Sequence, residues 1–204
     1  MKITGTVLAI ASLLLVKASS FTKRDQEVCA GQITISETFI GENSDVKLSH
    51  VSCPDNADSK RGLQARQSAA PTDVCGNTCM PFRLALFVLS KLESDPSGTT
   101  FCSDAAGGGP NPADCTVIVN AMRFFSQNFN DTFTIGTGAN NTVVLTYETC
   151  ETFYVNQVAN NQTYCFSDWA TIVAFIAPKC ENDAGGLCLA TNDQWFIDVQ
   201  ANTP

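Results

Sequence analysis

His50 is the sole histidine of the chain. It lies between Ser49 and Val51 at the end of an alternating run, Asp45-Val46-Lys47-Leu48-Ser49, that reads as a strand, so an exposed strand position is expected. The dibasic pair Lys60-Arg61 follows it. A cut there, with loss of the preceding part, leaves no histidine and excludes Ser-His-Asp and Cys-His catalysis and histidine-bound metals. Carboxylates are plentiful: of 20 Asp and Glu residues, 7 precede the cut and 13 follow it. Glu148 and Glu151 flank Cys150, with Asp168 and Asp193 further on. A glycosidase needs two carboxyl groups about 5–9.5 Å apart in one cleft, and a small acidic surface supplies such distances by accident. No catalytic residue is therefore assigned. Asp104, Asp114 and Asp183 lie near glycines without the D-x-D-x-D-G spacing of a calcium loop. Cys75-Gly-Asn-Thr-Cys79 has a zinc-finger-like gap, but no second close pair follows. Gly107-Gly108-Gly109 lacks the Lys-Ser/Thr of a phosphate loop. Neither metal nor cofactor is expected. Aromatic rings stack on the apolar faces of sugars, and Phe153, Tyr154, Tyr164, Trp169 and Trp195 are the candidates. The two tryptophans fall at core phase, which leaves Tyr154 and Tyr164 as the candidate ligand contacts.

The ten cysteines fall in even numbers on either side of a polar stretch, Asp55 to Pro71. Cys29 and Cys53 precede it; Cys75, Cys79, Cys102, Cys115, Cys150, Cys165, Cys180 and Cys188 follow. Even counts suit pairing within each part, and stable disulfides belong to oxidising, extracytosolic compartments. Eight cysteines allow 105 pairings, among which spacing does not choose. The first residues agree with export. Lys2, an apolar run from Val7 to Val16, and small residues at Ala18, Ser19 and Ser20 read as a secretory signal peptide over 1–20. Lys23-Arg24 and Lys60-Arg61 read as sites for dibasic-specific processing proteases, so that 21–61 is a pro-segment. Through Arg61 there are 7 Lys/Arg and 7 Asp/Glu; beyond it 5 and 13, giving the later part −8. That charge argues against nucleic acid as a partner, and no later run is long enough for a membrane anchor. Three sequons, at Asn130, Asn140 and Asn161, lie between apolar segments, where glycans stay in water.

The elements that would position these residues follow from periodicity. Two alternating runs, Gln32–Ser36 and Asp45–Ser49, joined by a turn at Gly41-Glu42-Asn43, read as a hairpin, with Cys29–Cys53 as a candidate closure. After cleavage the hairpin is a folding aid, a cap or a strand pair that stays attached. Residues 62–101 read as a linker plus a short apolar helix at Pro81–Leu92. Asn111 is a fitting N-cap for a helix carrying Cys115, Ile118, Val119, Met122 and Phe125 on one face, with Pro112 in its first turn. Strands are expected at 133–136, 142–147 and 152–156, with a break or bulge at Glu148–Glu151. A second helix starts at Ser167 as N-cap and stops before Pro178, Gly185-Gly186 turns the chain, and a last strand spans 194–199. This order predicts an α+β protein over 102–204, a two-layer sandwich with two helices on one face of an antiparallel sheet.

Asp114-Cys115 opens a helix, Tyr147-Glu148-Thr149-Cys150 ends a strand, and Cys165 precedes Asp168-Trp169. With Ala177-Pro178-Lys179-Cys180, Gly185-Gly186-Leu187-Cys188 and Trp195-Phe196-Ile197-Asp198-Val199, residues 102–199 resemble fungal secreted effectors of the necrosis-inducing-factor type. The resemblance implies action outside the cell, on a host or competitor, and a fold related to fungal killer toxins. It implies no active-site residues. Small mushroom glycan-binding proteins share size and cysteine content alone. The expectation is a secreted protein that acts by binding an unidentified cell-surface protein or glycan. A carbohydrate-binding protein and a small acidic glycoside hydrolase are the alternatives.

Overall fold

The computed structural model describes residues 28–54, 70–77, 99–102, 109–180, 185–190 and 193–202. The signal peptide, both dibasic pairs, Cys79 and the apolar stretch 81–92 lie outside the described residues. Strands β1 (Ile33–Ile40), β2 (Val46–Ser52), β3 (Thr72–Asp73) and β4 (Thr99–Cys102) precede helix α1 (Pro112–Asn128). Then come β5 (Thr132–Ile135), β6 (Thr142–Tyr147), β7 (Cys150–Asn156), β8 (Gln162–Cys165), α2 (Phe166–Lys179), β9 (Gly186–Leu189) and β10 (Trp195–Ala201). Seven strands form one antiparallel sheet in the order β1-β2-β6-β7-β10-β9-β4. A second sheet holds β3, β8 and β5. Both helices lie on one face of the large sheet, α1 over β6 and β7 and α2 over β9 and β10, and they pack on each other. The chain is a disulfide-bonded α+β sandwich.

The period-2 alternation of strands sorts the side chains into two layers. Val143, Leu145, Tyr154, Trp195, Ile197 and Val199 face the helices and meet Ile118, Met122, Trp169, Val173 and Ile176 in the main core. On the opposite face Val51, Val144, Phe153 and Val155 form a smaller cluster, against which Val28, Cys29 and Phe196 pack. The hairpin β1–β2 belongs to this sheet: β2 pairs with β6 from Lys47–Thr146 to Val51–Thr142. Ile40, Val46 and Leu48 lie in the same core as both helices.

Bridges join Cys29 to Cys53, Cys75 to Cys165, Cys102 to Cys180 and Cys115 to Cys150. Cys188 is disulfide-bonded as well. Asn111 caps α1 as expected, its Oδ1 accepting from the amide of Ala113 at 3.0 Å. Three local expectations are corrected. Glu148–Glu151 is neither break nor bulge but a two-residue hairpin turn, with Tyr147 paired to Cys150 and Glu148 at φ +44°. Helix α2 starts at Phe166, because Ser167 gives its hydroxyl to Asp131 Oδ2 (2.7 Å) and caps nothing. It also runs through Pro178, which sits in the last turn.

Candidate functional site

Asp114, Cys115, Thr149, Cys150, Cys165 and Asp168 form two joints between elements. Asp114 Oδ2 accepts from the Thr149 hydroxyl at 2.6 Å and from the Thr149 amide at 3.2 Å. The Asn111 amide donates to Thr149 Oγ1 at 3.0 Å. Cys115–Cys150 lies directly beside these contacts, so the Asp-Cys and Glu-Thr-Cys sequences clamp the start of α1 to the β6–β7 turn. A carboxylate in a helix's first turn also meets the favourable end of the helix dipole. At the second joint Asp168, in the first turn of α2, accepts from the Gly76 amide at 2.6 Å. Cys75–Cys165 fixes the same pair of segments. Cys75, Cys165 and Asp168 bring three potential metal-ligand atoms within 4.8 Å of one another. Two of those atoms are the sulfurs of one disulfide, which leaves a single carboxylate.

Tyr154 and Tyr164 are corrected as ligand contacts. Both are 0% exposed. Their ring centroids lie 4.9 Å apart in a tilted contact, and Trp195 stacks on Tyr154 at 5.5 Å and meets Tyr164, tilted, at 5.1 Å. Tyr154 donates to Gln162 Oε1 and Tyr164 to the carbonyl of Asn77, each at 2.9 Å. Burial raises the pKa of both phenols far above the usual value, with a neighbouring phenol adding for Tyr154 and Asp168 for Tyr164. A sugar has no access to either ring. Trp169 and Trp195 are core, as their phase indicates; the Trp169 indole N–H donates to Thr152 Oγ1 at 3.0 Å.

The four candidate carboxylates are scattered. Glu148 and Asp193 are exposed at positive-φ turn positions. Asp168 belongs to the helix layer. Glu151 is 3% exposed on the opposite face of the sheet, accepting from Gln200 Nε2 at 2.7 Å. Asp198, within Trp195-Phe196-Ile197-Asp198-Val199, shares that face with Glu151. Their strands pair in register, Glu151 with Gln200 and Phe153 with Asp198, so the two carboxylates occupy diagonal positions. Desolvation among Phe153, Leu187 and Phe196 pushes the Asp198 pKa up to about 6, against the pull of the Val199 backbone hydrogen bond. Its Oδ1 is buried with no hydrogen-bond partner among the described residues. An apolar pocket that raises one carboxyl group beside an ionisable neighbour is a signal that composition does not reveal. The register does: 198 and 151 fall on the same face once β7 and β10 are paired.

His50 is half-buried, not exposed, on the helix-facing row of β2 opposite Ser36 and Val143, and burial lowers its pKa. Asn130, Asn140 and Asn161 are all exposed. Among the described residues the exposed large apolar side chains are Ile33, Ile35, Phe39 and Phe129, and three of the four lie on β1. Strand β1 is an edge of the large sheet, and its only charge is Glu37. A bulge at Ile35 leaves residues 36–40 as its regular part. No helix among the described residues is long and apolar enough to cross a membrane. No family model matches the chain, and no curated protein matches it.

Proposed function

We propose that the protein is secreted and acts outside the cell by binding a cell-surface partner, in the manner of an effector or toxin, without catalysing a reaction. The β1 edge carries this reading. Native sheets blunt their edges with lysine, proline or short strands. This edge is eight residues long, and Ile33, Ile35 and Phe39 are 60%, 54% and 54% exposed. An edge of that kind suits strand addition, in which a partner's backbone extends the sheet and its side chains meet the flanking apolar groups. The disulfides and the three exposed sequons support an extracellular setting. The test is binding of fluorescently labelled, glycosylated protein to intact target cells, compared with Phe39→Ser and Ile35→Ser. Both variants are expected to keep the melting temperature and lose surface binding. Undiminished binding by both would remove β1 from the interface.

Glycoside hydrolysis has one observation in its favour, the elevated Asp198 carboxyl on the face that also holds Glu151. Such pairs divide acid and base roles in glycosidases. Turnover of polysaccharide that disappears in both Asp198→Asn and Glu151→Gln would establish it. A glycan array separates the carbohydrate-binding alternative, which loses its two tyrosines to the core.

A further inference from the structure

We infer that a cut between residues 54 and 70, at Lys60-Arg61, leaves a two-chain protein in which the β1–β2 hairpin stays seated on β6 and α1 by non-covalent contacts alone. The disulfide map requires the absence of a link. Cys29 and Cys53 are the only cysteines before the cut, and they are bonded to each other. The bridges 75–165, 102–180 and 115–150 lie wholly beyond it. Hydrolysis of the Arg61–Gly62 peptide bond by a dibasic-specific protease consumes one water and yields an Arg61 carboxylate and a Gly62 amine. No covalent path between the pieces is then left.

What holds the hairpin is the sheet and both of its faces. Five residue pairs join β2 to β6. Ile40, Val46 and Leu48 enter the main core on the helix side, and Val51 and Cys53 join Val144, Phe153 and Val155 on the other. Burying each aliphatic side chain strengthens association by roughly 10- to 100-fold. The turn meets α1 closely enough that a Cβ on Gly41 would stand 3.0 Å from Ala121 Cβ. The Cys53 amide donates to the Ala139 carbonyl at 2.7 Å. A hairpin of two strands is marginal alone in water, so this one is ordered by the surface that receives it. Without it, β6 becomes a raw edge and the core beneath Ile40 and Leu48 opens. The pro-segment is thus a structural subunit that also contributes the β1 edge. This inference concerns assembly and stands independently of what the protein binds.

The test takes the full secreted chain, treats it with a kexin-type protease, and verifies the cut by intact mass. A Lys60→Ala/Arg61→Ala protein serves as the uncut control. The cut protein is expected to elute as one species on a native sizing column and to give two bands on a denaturing gel without reductant. Pieces that part on the native column, a single non-reduced band, or a chain that resists the protease would each overturn the proposal. Leu48→Ala probes the contact itself. Its cost in a packed core corresponds to about 30-fold or more in affinity. The uncut variant, whose tether keeps the hairpin at high effective concentration, should elute as wild type; the cut variant should shed its hairpin on dilution. Equal retention by cut wild type and cut variant would show that the core contact is not what holds it.

Discussion

Asp198 shows how one side chain makes stability depend on pH. Its unfolded carboxyl titrates near 3.8, and burial raises the folded value to about 6. The folded state therefore binds the proton more tightly than the unfolded chain. The stabilisation is complete below pH 3.8 and is lost as pH rises through about 6. Between pH 4.5 and 7.5 this group alone should lower stability by about 2 kcal/mol. Asp198→Asn keeps the shape and removes the charge, so urea titrations should show the variant gaining on wild type by that amount over the same interval. A wild-type-minus-variant difference that is flat with pH would mean that Asp198 is hydrated in solution. The clamp at Asp114 has the opposite character: its oxygen is fully used by Thr149, and it ties a helix to a turn. Neither arrangement was readable from residue type, because both depend on which strand lies beside which.

At the scale of elements, the sequence was most informative where a local rule acts alone. Asn111 and Pro112 set the start of α1, and the short run Thr142-Val143-Val144-Leu145-Thr146, rich in β-branched residues, set β6. Strands β3, β4, β8 and β9 left no such trace. They are two to four residues long, and their strand state comes from partners distant in sequence, such as Thr72 beside Gln162 and Thr100 beside Cys188. The turn at Glu148 reads as irregular because a charged, non-glycine residue occupies the left-handed region there. Tyr154 and Tyr164 were misplaced because a polar tip is compatible with either surface or core; Gln162 and Asn77 supply the buried partners that decide it. Gly185 shows an element under steric control. It holds φ +71° just before β9, and a Cβ would fall 2.1 Å from the Val199 carbonyl oxygen of β10. Backbone cannot yield as a flexible side chain would, so Gly185→Ala should separate β9 from β10 and cost about 2–4 kcal/mol. Amide exchange in β9 and β10 should accelerate well before that of α1. Unchanged protection in both strands would show that the β9 end is free to shift.

For the whole molecule, the question is which cross-link limits unfolding. The Cys102–Cys180 bridge closes a separation of 78 residues and fastens the edge strand β4 to the end of α2. The Cys29–Cys53 bridge closes 24 and stays inside one hairpin and its flank. If chain entropy governs, the longer loop is worth about 1 kcal/mol more, since the effect grows with the logarithm of loop length. Packing points the same way, because Cys180 is in the main core while Cys53 belongs to the smaller cluster on the far face. Tryptophan emission is a suitable reporter: Trp169 and Trp195 are 0% and 1% exposed and sit on α2 and β10. Removing Cys102 and Cys180 as a serine pair should therefore lower the midpoint of the emission change more than removing Cys29 and Cys53. The reverse order would carry a specific meaning. It would place the hairpin first in the unfolding sequence, with the exposed β6 edge propagating disorder into the helix-covered core, and the sheet would then depend on its N-terminal strands more than on the Cys102–Cys180 bridge.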